Sequence, residues 1–436
     1  MSFRLNLFLL TCLLFLPMAA FFSACEDDVE TTPPSLSINL PRDNQQLTAG
    51  DELIIQGRAS DESGLGELVV TVFRPASPPV FERSEVFSLS DKSQDFEFRL
   101  PVSSRYAETG EYLLQISALD IHGNGTTAEI PLLIDELPWE LQRPMWVGED
   151  GSGNATLHYR DTLGQLQTGP MLGNQLADVK VDNRFRQLIA AESTTGNAQV
   201  WSLNDLAPLY TIDLPTGVVQ ENITGVSVDQ DQIYLGSSVP PYLSVYLTDG
   251  DRSGAWSSLP YPVKAVLAGE SQLWLSVEGQ VGTPTKVDHY DPGTEQLQAT
   301  YITDWRTDYL LELDGDRLVV AGNENRAGRL RILEANSLQA GSELDLTDEI
   351  IGLAGQGNDS YVLTNLGAYQ LNPTNGNLLG PVVAGDYTAI GWEREFRQLY
   401  LGKENTVEVY DANGNAIATY TGGYGKISWF IFQYNK

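Results

Sequence analysis

Cysteine and histidine are both scarce in this sequence of 436 residues. It contains two cysteines, Cys12 and Cys25, and three histidines, His122, His158 and His289. Cys12 falls in an N-terminal apolar run, so disulfides and Cys-bound metals are not expected in the body of the protein. The histidines fall in separate domains or repeats, which excludes a zinc site made of three of them, and each is interpreted as structural. No metal site is expected from these residue types.

Basic residues are also few, since 26 Lys and Arg stand against 58 Asp and Glu, giving a formal net charge of −32. Such a charge repels phosphate backbones and anionic lipid headgroups, so nucleic acid is excluded as a partner and the membrane can be reached only through an anchor. Two catalytic signatures are absent as well, the Gly-x-Ser-x-Gly elbow and the Ser-x-Asp-x-Gly-x-x-Trp box. No catalytic residue is therefore assigned.

The N-terminus has the pattern of a secretory signal. Residues 1–22 hold one charge, Arg4, followed by the apolar run 5–16, and the small residues Ser23 and Ala24 precede Cys25. This stretch resembles the lipobox of bacterial lipoproteins, which implies a signal peptide of residues 1–24 and lipidation of Cys25. The alternative is an uncleaved anchor helix, because the run is nearly long enough to cross a bilayer.

Residues 25–35 are expected to form a lipidated, flexible tether, because they are charged, contain proline and have little to bury. The acidic run 26–30 resembles the surface-export signal of some Gram-negative outer-membrane lipoproteins. The alternative is a solvated spacer on the periplasmic side. The expected location is the outer membrane, on either the cell-surface or the periplasmic side.

No apolar pattern of helical period persists, and the composition is that of an all-β protein. Residues 36–136 contain alternating segments typical of strands, namely 36–40, 52–59, 68–73, 96–100, 112–118 and 128–134. This density of strands fits an Ig-like β-sandwich, and residues 108–112 resemble its tyrosine corner. Two stretches, 57–64 and 118–124, resemble bacterial extracellular Ig-like repeats, in which carboxylates such as Asp61 and Asp120 sometimes lie near Ca²⁺.

Residues 138–436 contain a repeated apolar strand. Its seven copies are 144–148, 187–191, 232–236, 272–276, 317–322, 360–364 and 398–402, with successive offsets of 43, 45, 40, 45, 43 and 38 residues. Repeats of this length predict a seven-bladed β-propeller. The C-terminal segment 426–432 has no partner strand of its own, so we expect it to pair with Trp146 and Val147 and close the ring.

The turns after the second strand of each repeat carry an aromatic residue, Asp or Asn, and then Gly, as in 287–293, 369–376 and 407–414. In this feature and in strand pattern the repeat resembles the YVTN and PQQ-type families of bacterial propellers. The resemblance implies the fold and leaves the ligand open.

The candidate ligand-binding residues lie in the loops that enter the first strand or leave the second strand of the predicted blades. They are Glu192, Asp304, Trp305, Arg306, Asn323, Arg326 and Lys403. An aromatic ring flanked by hydrogen-bonding groups suits a sugar ring or a peptide side chain. The alternative for Trp305 is packing between neighbouring blades.

The sequence therefore favours a non-catalytic outer-membrane lipoprotein that binds an envelope or extracellular protein or glycan, as a monomer and without a cofactor. Ca²⁺ near Asp61 and Asp120 is the one metal considered as a ligand. Two alternatives stay open. One is a propeller-type hydrolase or lyase using loop carboxylates such as Glu192 or Glu324, and the other is an envelope-assembly scaffold.

Overall fold

The computed structural model describes residues 30–75, 80–101, 107, 109–213, 222–229, 232–239, 241–256, 259, 261–269, 272–279, 285–314, 317–334 and 343–435. The predicted signal peptide, Cys25 and the first part of the tether lie outside the described residues. Within these ranges, no helix combines the length and apolar character needed to cross a bilayer. The chain divides into two compact units, the first ending at Pro138 and the second beginning at Trp139.

The first unit contains two β-sheets. Its strands are β1 Ser35–Leu40, β2 Gln45–Thr48, β3 Glu52–Ser60, β4 Leu65–Arg74, β5 Val80–Ser88, β6 Ser93–Pro101, β7 Gly110–Asp120 and β8 Gly125–Asp135. One sheet has the order β1-β3-β6 and the other the order β2-β8-β7-β4-β5. The six strands expected from the sequence are present, and β2 and β5 were not expected.

The core of the first unit follows from alternation along its strands. In β7, every second residue from Tyr112 to Asp120 is buried, because successive side chains of a strand point to opposite faces. One hydrophobic cluster joins Leu53 and Ile55 of the first sheet to Leu114 and Ile116 of the second. The two sheets therefore share a single core.

The second unit is built from four-stranded sheets. Its strands are β9 Leu141–Glu149, β10 Asn154–Arg160, β11 Leu166–Asn174, β12 Leu176–Asp182, β13 Gln187–Glu192, β14 Asn197–Ser202, β15 Pro208–Asp213, β16 Ile223–Asp229, β17 Gln232–Ser238, β18 Pro241–Leu247, β19 Arg252–Trp256, β20 Val263–Gly269, β21 Gln272–Val277, β22 Thr285–Asp291, β23 Gln296–Thr303, β24 Tyr309–Asp314, β25 Arg317–Glu324, β26 Ala327–Glu334, β27 Glu343–Asp345, β28 Ile350–Gln356, β29 Asp359–Thr364, β30 Gly367–Leu371, β31 Leu378–Ala384, β32 Ala389–Glu393, β33 Gln398–Lys403, β34 Thr406–Asp411, β35 Ala416–Thr421 and β36 Lys426–Tyr434.

Six sheets are meanders of consecutive strands, namely β12–β15, β16–β19, β20–β23, β24–β27, β28–β31 and β32–β35. The seventh has the order β11-β10-β9-β36. The repeated apolar segments of the sequence form the second strand of each sheet. These strands, such as β17 and β29, are buried on both faces, which explains why they are continuous apolar runs rather than alternations.

The C-terminal strand completes the first sheet of this unit. β36 pairs with β9 in antiparallel register, placing Phe430 opposite Trp146 and Trp429 opposite Val147. The pairing predicted for residues 426–432 is thus present. It covers the edge of β9 that would otherwise be open to another chain.

Each sheet of the second unit packs on the next through its own hydrophobic cluster. The β9 sheet shares one with the β12 sheet, and the series continues through each following sheet. The last sheet then packs back on the first, because Tyr400 and Val407 share a cluster with Trp146 and Ile427. Across the described residues, the sheets follow one another in a closed cycle.

Candidate functional site

The sheets of the second unit surround a channel of about 580 Å³. Its lining comes from the first strand of every sheet, namely β12, β16, β20, β24, β28, β32 and β36, together with residues next to their ends. Each of these strands is the edge strand of its sheet, so its outer edge faces the channel rather than another strand. A cavity of this size falls in the range of small-ligand pockets, about 300–1,000 Å³.

One side of the channel is aromatic. We call Trp392 of β32 and Trp429, Phe430 and Phe432 of β36 the aromatic wall. All four side chains are half-buried, so their rings are packed while part of their surface stays accessible. Aromatic faces of this kind provide contact area for a sugar ring or an apolar side chain.

Other parts of the lining carry charge. We call Asp178 and Lys180 of β12, Lys264 of β20 and Asp308, which precedes β24, the polar wall. Lys180 Nζ lies 3.2 Å from Asp178 Oδ1, and Lys264 Nζ lies 2.7 Å from an oxygen of Glu278. The Asp178 carboxylate also accepts hydrogen bonds from the backbone N–H groups of Val179 and Val226.

Asp308 connects the channel to one of the predicted loop residues. Arg306 Nε donates a hydrogen bond to Asp308 Oδ1 over 2.5 Å. Burial raises the pKa of the Asp308 carboxyl, and the Arg306 guanidinium opposes that rise. The loop that carries Arg306 thus contributes to the entrance at which the first strands begin.

At the other end of the channel, where the first strands finish, an arginine meets two rings. The Arg394 guanidinium lies 3.3 Å from the ring centre of Trp139 and 5.6 Å from that of Tyr434. Asn183 Nδ2 donates to the carbonyl of Phe432 over 3.3 Å, and Asn183 Oδ1 accepts from the Tyr434 N–H over 2.8 Å. These contacts fix β12 beside β36, so the two polar-wall residues of β12 lie on the strand next to the aromatic wall.

Trp305 does not present its ring to a ligand, so this part of the predicted site is wrong. Its side chain is 2% exposed and packs with Val287, Leu318 and Val320 between two neighbouring sheets. The alternative of packing between neighbouring repeats is therefore the one observed, since these two sheets come from successive repeats. The charged neighbours Asp304 and Arg306 lie at the surface while the ring between them points inward.

Three other predicted residues hold the fold together locally. Glu192 accepts hydrogen bonds from the Asn174 N–H and the Thr195 hydroxyl, and Asn323 bridges to the N–H and carbonyl of Ile350. Lys403 donates a hydrogen bond to Glu408 over 2.5 Å. These side chains are already committed to contacts within the protein.

Asp304 and Arg326 are exposed. Asp304 is 77% exposed and lies 3.4 Å from Arg329, which also forms an ion pair with Glu324. Arg326 lies in the turn between β25 and β26 with a φ of 69°. The structure thus distributes the predicted residues over three sheets, and only Arg306 reaches the channel lining through a direct contact.

Sequence reasoning missed the channel residues, although a signal was available. Trp429 and Phe430 lie in the segment 426–432, which was expected to pair with Trp146 and Val147 and close the ring. A charged or aromatic residue on a strand expected to line the axis indicates a residue of the channel. The sequence does not indicate which of these residues face one another.

Both histidines of the second unit are packed against aromatic rings. His158 lies 4.9 Å from Tyr424, and His289 stacks on Trp274 at 4.3 Å between ring centres. Burial lowers the pKa of both imidazoles. They belong to different sheets, in agreement with a structural role for each.

In the first unit, the carboxylates of Glu30, Asp61 and Asp120 lie within 4.8 Å of one another. Asn124 Nδ2 donates to Glu30 and Asp120, and the Ser63 hydroxyl donates to Asp61. Burial acts to raise the pKa of Asp120, but hydrogen bonds from Asn124 outweigh it and the pKa falls to about 2. Ca²⁺ takes about six to eight oxygen ligands, which carboxylates supply one or two at a time together with carbonyls and waters, so these three side chains form part of a candidate ligand set.

The end of the predicted tether contacts this same region. Asn124 Nδ2 also donates to the Glu30 carbonyl over 2.9 Å, and the Thr126 hydroxyl donates to the Pro34 carbonyl over 2.5 Å. β1 then begins at Ser35. Residues 30 and 34 are thus hydrogen-bonded to the first unit.

No protein-family model and no curated protein sequence matches this chain. Among solved structures it is similar to a computationally designed protein, Ika8, with a TM-score of 0.50 and 14% identity over 65% of this chain and 86% of the other. A quinonprotein alcohol dehydrogenase-like protein from Bacteroides thetaiotaomicron is 12% identical over 92% of this chain and 99% of its own, with a TM-score of 0.46. At such identities the likeness concerns the fold alone. The all-β architecture of many small sheets is consistent with a propeller-type fold.

Proposed function

We propose that this protein is an outer-membrane lipoprotein, anchored through Cys25, that binds a glycan without catalysis in the channel of its second unit. In this proposal the first unit is an Ig-like β-sandwich that acts as a spacer. The second unit is a seven-bladed β-propeller closed by β36. The body faces either the cell surface or the periplasm.

The arrangement of sheets and cores supports the propeller. Each four-stranded sheet shares one hydrophobic cluster with its neighbour on either side, and the first strands all face the same channel. Sheets packed radially around an axis have this pattern. The two sheets and single core of the first unit support a sandwich.

The observation that carries the binding proposal is the aromatic wall. Four half-buried aromatic side chains on two neighbouring strands, Trp392 on β32 and Trp429, Phe430 and Phe432 on β36, contribute to the lining of a channel of about 580 Å³ that also has a polar wall. Sugars combine apolar ring faces with hydroxyl groups, so they match a site that has both kinds of surface. A protein partner would have to enter this channel with a single narrow segment.

The carboxylates named for the hydrolase alternative are engaged elsewhere. Glu192 is held by Asn174 and Thr195, and Glu324 forms an ion pair with Arg329 over 2.9 Å. A pair of catalytic carboxylates has to flank the scissile bond across a cleft. Glu192 and Glu324 belong to different sheets, and neither lines the channel.

The binding proposal is tested with the Trp429→Ala variant on a glycan array and by titration with the glycans that bind. Removing the ring is expected to weaken binding at least about tenfold, because an aromatic contact and its buried area are lost. Phe396→Ala is the control, since Phe396 is 60% exposed and lies outside the channel. A wild-type protein that binds no glycan but turns one over in a hydrolase screen would contradict the proposal.

The anchor and the location are tested separately. Metabolic labelling with a fatty acid is expected to label the wild type and not Cys25→Ser. Protease treatment of intact cells then distinguishes a body on the cell surface, which is cleaved, from one in the periplasm, which is protected. Retention of an uncleaved N-terminus in the mature protein would instead support a membrane helix.

A further inference from the structure

We infer that the channel selects saccharides that carry a carboxylate, such as those containing uronic or sialic acids. This inference rests on the proposed glycan-binding function and narrows its ligand. It depends on the balance of charge in the channel, on the position of Lys180 beside the aromatic wall, and on the way Asp178 is held.

The channel reverses the charge balance of the chain. Acidic residues outnumber basic ones by 58 to 26 in the whole sequence. The lining has three basic side chains, Lys180, Lys264 and Arg394, against two acidic ones, Asp178 and Asp308. With the ion-pair partners Arg306 and Glu278 added, the count is four against three. In an enclosed site with low-dielectric walls, such an excess attracts an anion more strongly than it would on an open surface.

Lys180 stands next to the surface proposed to hold the sugar ring. It is on β12, and the side chain of Asn183 ties the end of that strand to Phe432 and Tyr434 of β36. The Lys180 side chain is 44% exposed, so its ammonium group is accessible from the channel. A saccharide in the channel therefore meets both the aromatic wall and a lysine on the neighbouring strand β12.

The partner of Lys180 is already stabilised by other groups. Asp178 accepts backbone hydrogen bonds from Val179 over 2.8 Å and Val226 over 3.1 Å, in addition to its contact with Lys180. Those donors satisfy the Asp178 carboxylate when Lys180 turns to a ligand. Lys264, 2.7 Å from Glu278, supplies a second positive charge on the same polar wall.

A neutral sugar would be bound through contacts with the aromatic wall alone. An acidic sugar would use it and also gain charge-assisted hydrogen bonds, which are about twice as strong as neutral ones. The acid form of a saccharide is therefore expected to bind about tenfold more tightly than the same saccharide with its carboxylate blocked. The preference should shrink as salt is added, because salt screens charges that water can reach.

The experiment compares each acidic oligosaccharide with its methyl ester, which keeps the ring and removes the charge. Oligogalacturonides, glucuronate-containing disaccharides and sialyllactose are titrated into the full protein by calorimetry. We expect the acid forms to bind about tenfold more tightly than the esters. The double variant Lys180→Met and Lys264→Met, which keeps the apolar stems, should bring the two forms within about twofold.

The control variant is Lys92→Met, because Lys92 is an exposed lysine of the first unit. It should keep the preference for the acid form. Esters and acids that bind equally well to the wild type would overturn the inference and leave glycan binding intact. A preference that survives in the double variant would also overturn it, and a wild type that binds no saccharide at all would overturn both proposals.

Discussion

The two units of this chain build their interiors in different ways. The first has one hydrophobic core between two sheets, formed by alternate residues of strands such as β7. The second has a series of smaller cores, each between successive sheets, formed by strands such as β17 that are buried on both faces. The core of the first unit therefore depends on the packing of two sheet faces. The cores of the second unit also depend on the last sheet packing against the first.

Because the sheets of the second unit form a closed cycle, its last strand contributes to more parts of the structure than any strand of the first unit does. β36 supplies Ile431 to the core shared with the following sheet and Ile427 to the core shared with the preceding one. It also pairs with β9 and lines the channel. One strand thus contributes to two cores, one sheet and the candidate site.

The largest effect is expected from deleting residues 424–436. The deletion removes the buried side chains Tyr424, Ile427, Ile431 and Tyr434 and opens the edge of β9. Burying a side chain of this kind contributes about 1.5–3 kcal/mol, so the loss is comparable with the total stability of a domain, about 5–15 kcal/mol. Calorimetry should show that the second unit loses its unfolding transition while the first keeps its own.

Deleting Lys436 alone is the control for this truncation, because it leaves β36 complete. Its unfolding transitions should match those of the wild type. A long truncation with an unchanged melting temperature would show that the second unit does not depend on closure, and the contrast between the two units would disappear.

A smaller effect is expected where the segment that leads into β24 passes close to β25. A Cβ at Gly322 would lie 1.8 Å from the carbonyl oxygen of Arg306, which belongs to the connection between two sheets. Gly322→Val should therefore lower the free energy of unfolding of the second unit by about 1–3 kcal/mol or more, since the backbone has to move. Urea denaturation measures this loss.

Gly380→Val provides the matched control in the same unit. Gly380 lies on β31, the outermost strand of its sheet, and a Cβ there meets nothing within 4 Å. Its unfolding free energy should stay within about 0.5 kcal/mol of the wild-type value. Equal losses at the two glycines would mean that the close approach of Arg306 is not what makes Gly322 necessary.

The smallest expected effect is on the pH dependence of the free energy of unfolding. Burial lowers the pKa of His158 and His289, both in the second unit, below the ordinary value of 6.5. As the pH falls below about 6.5, the unfolded chain binds protons before the folded one does, so the free energy of unfolding of this unit should decrease. Replacing both histidines by glutamine should reduce that slope between pH 7 and 5.

Buried carboxyl groups also contribute to the pH dependence of stability, so the slope of the histidine variant has to be compared with that of the wild type. Burial raises the pKa of a few aspartates of the same unit, namely Asp182, Asp288 and Asp308. Their contribution has the opposite sign, because the folded state keeps their protons to higher pH than the unfolded state. Parallel pH curves for wild type and the histidine variant would show that the two imidazoles do not account for the slope.

Much of the strand pattern could be predicted because it is a local property. The apolar runs that became β13, β17 and β33 stand out wherever they occur in the chain. β2 and β5 did not stand out, for physical reasons: β2 has four residues, and β5 pairs only with β4 at the edge of its sheet. Short or edge strands need fewer apolar residues, so their sequences resemble loops.

The candidate site was less predictable. Trp305 was judged by its neighbours Asp304 and Arg306, but the direction of its ring is set by Val287 and Leu318 of two neighbouring sheets. Likewise, nothing local distinguishes Lys180 from a lysine on an outer strand. Its position in the channel follows from β12 being the first strand of its sheet.

The sequence by itself determined the all-β class, the repeated strand and the need of the C-terminal segment for a partner, because hydrophobic runs and turn residues act over a few neighbours. The tertiary structure decided that Trp392, Trp429 and Lys180 share one channel. Each first strand contributes only a few side chains there, and those strands are far apart in the chain. They come together only when sheet packs on sheet and β36 pairs with β9.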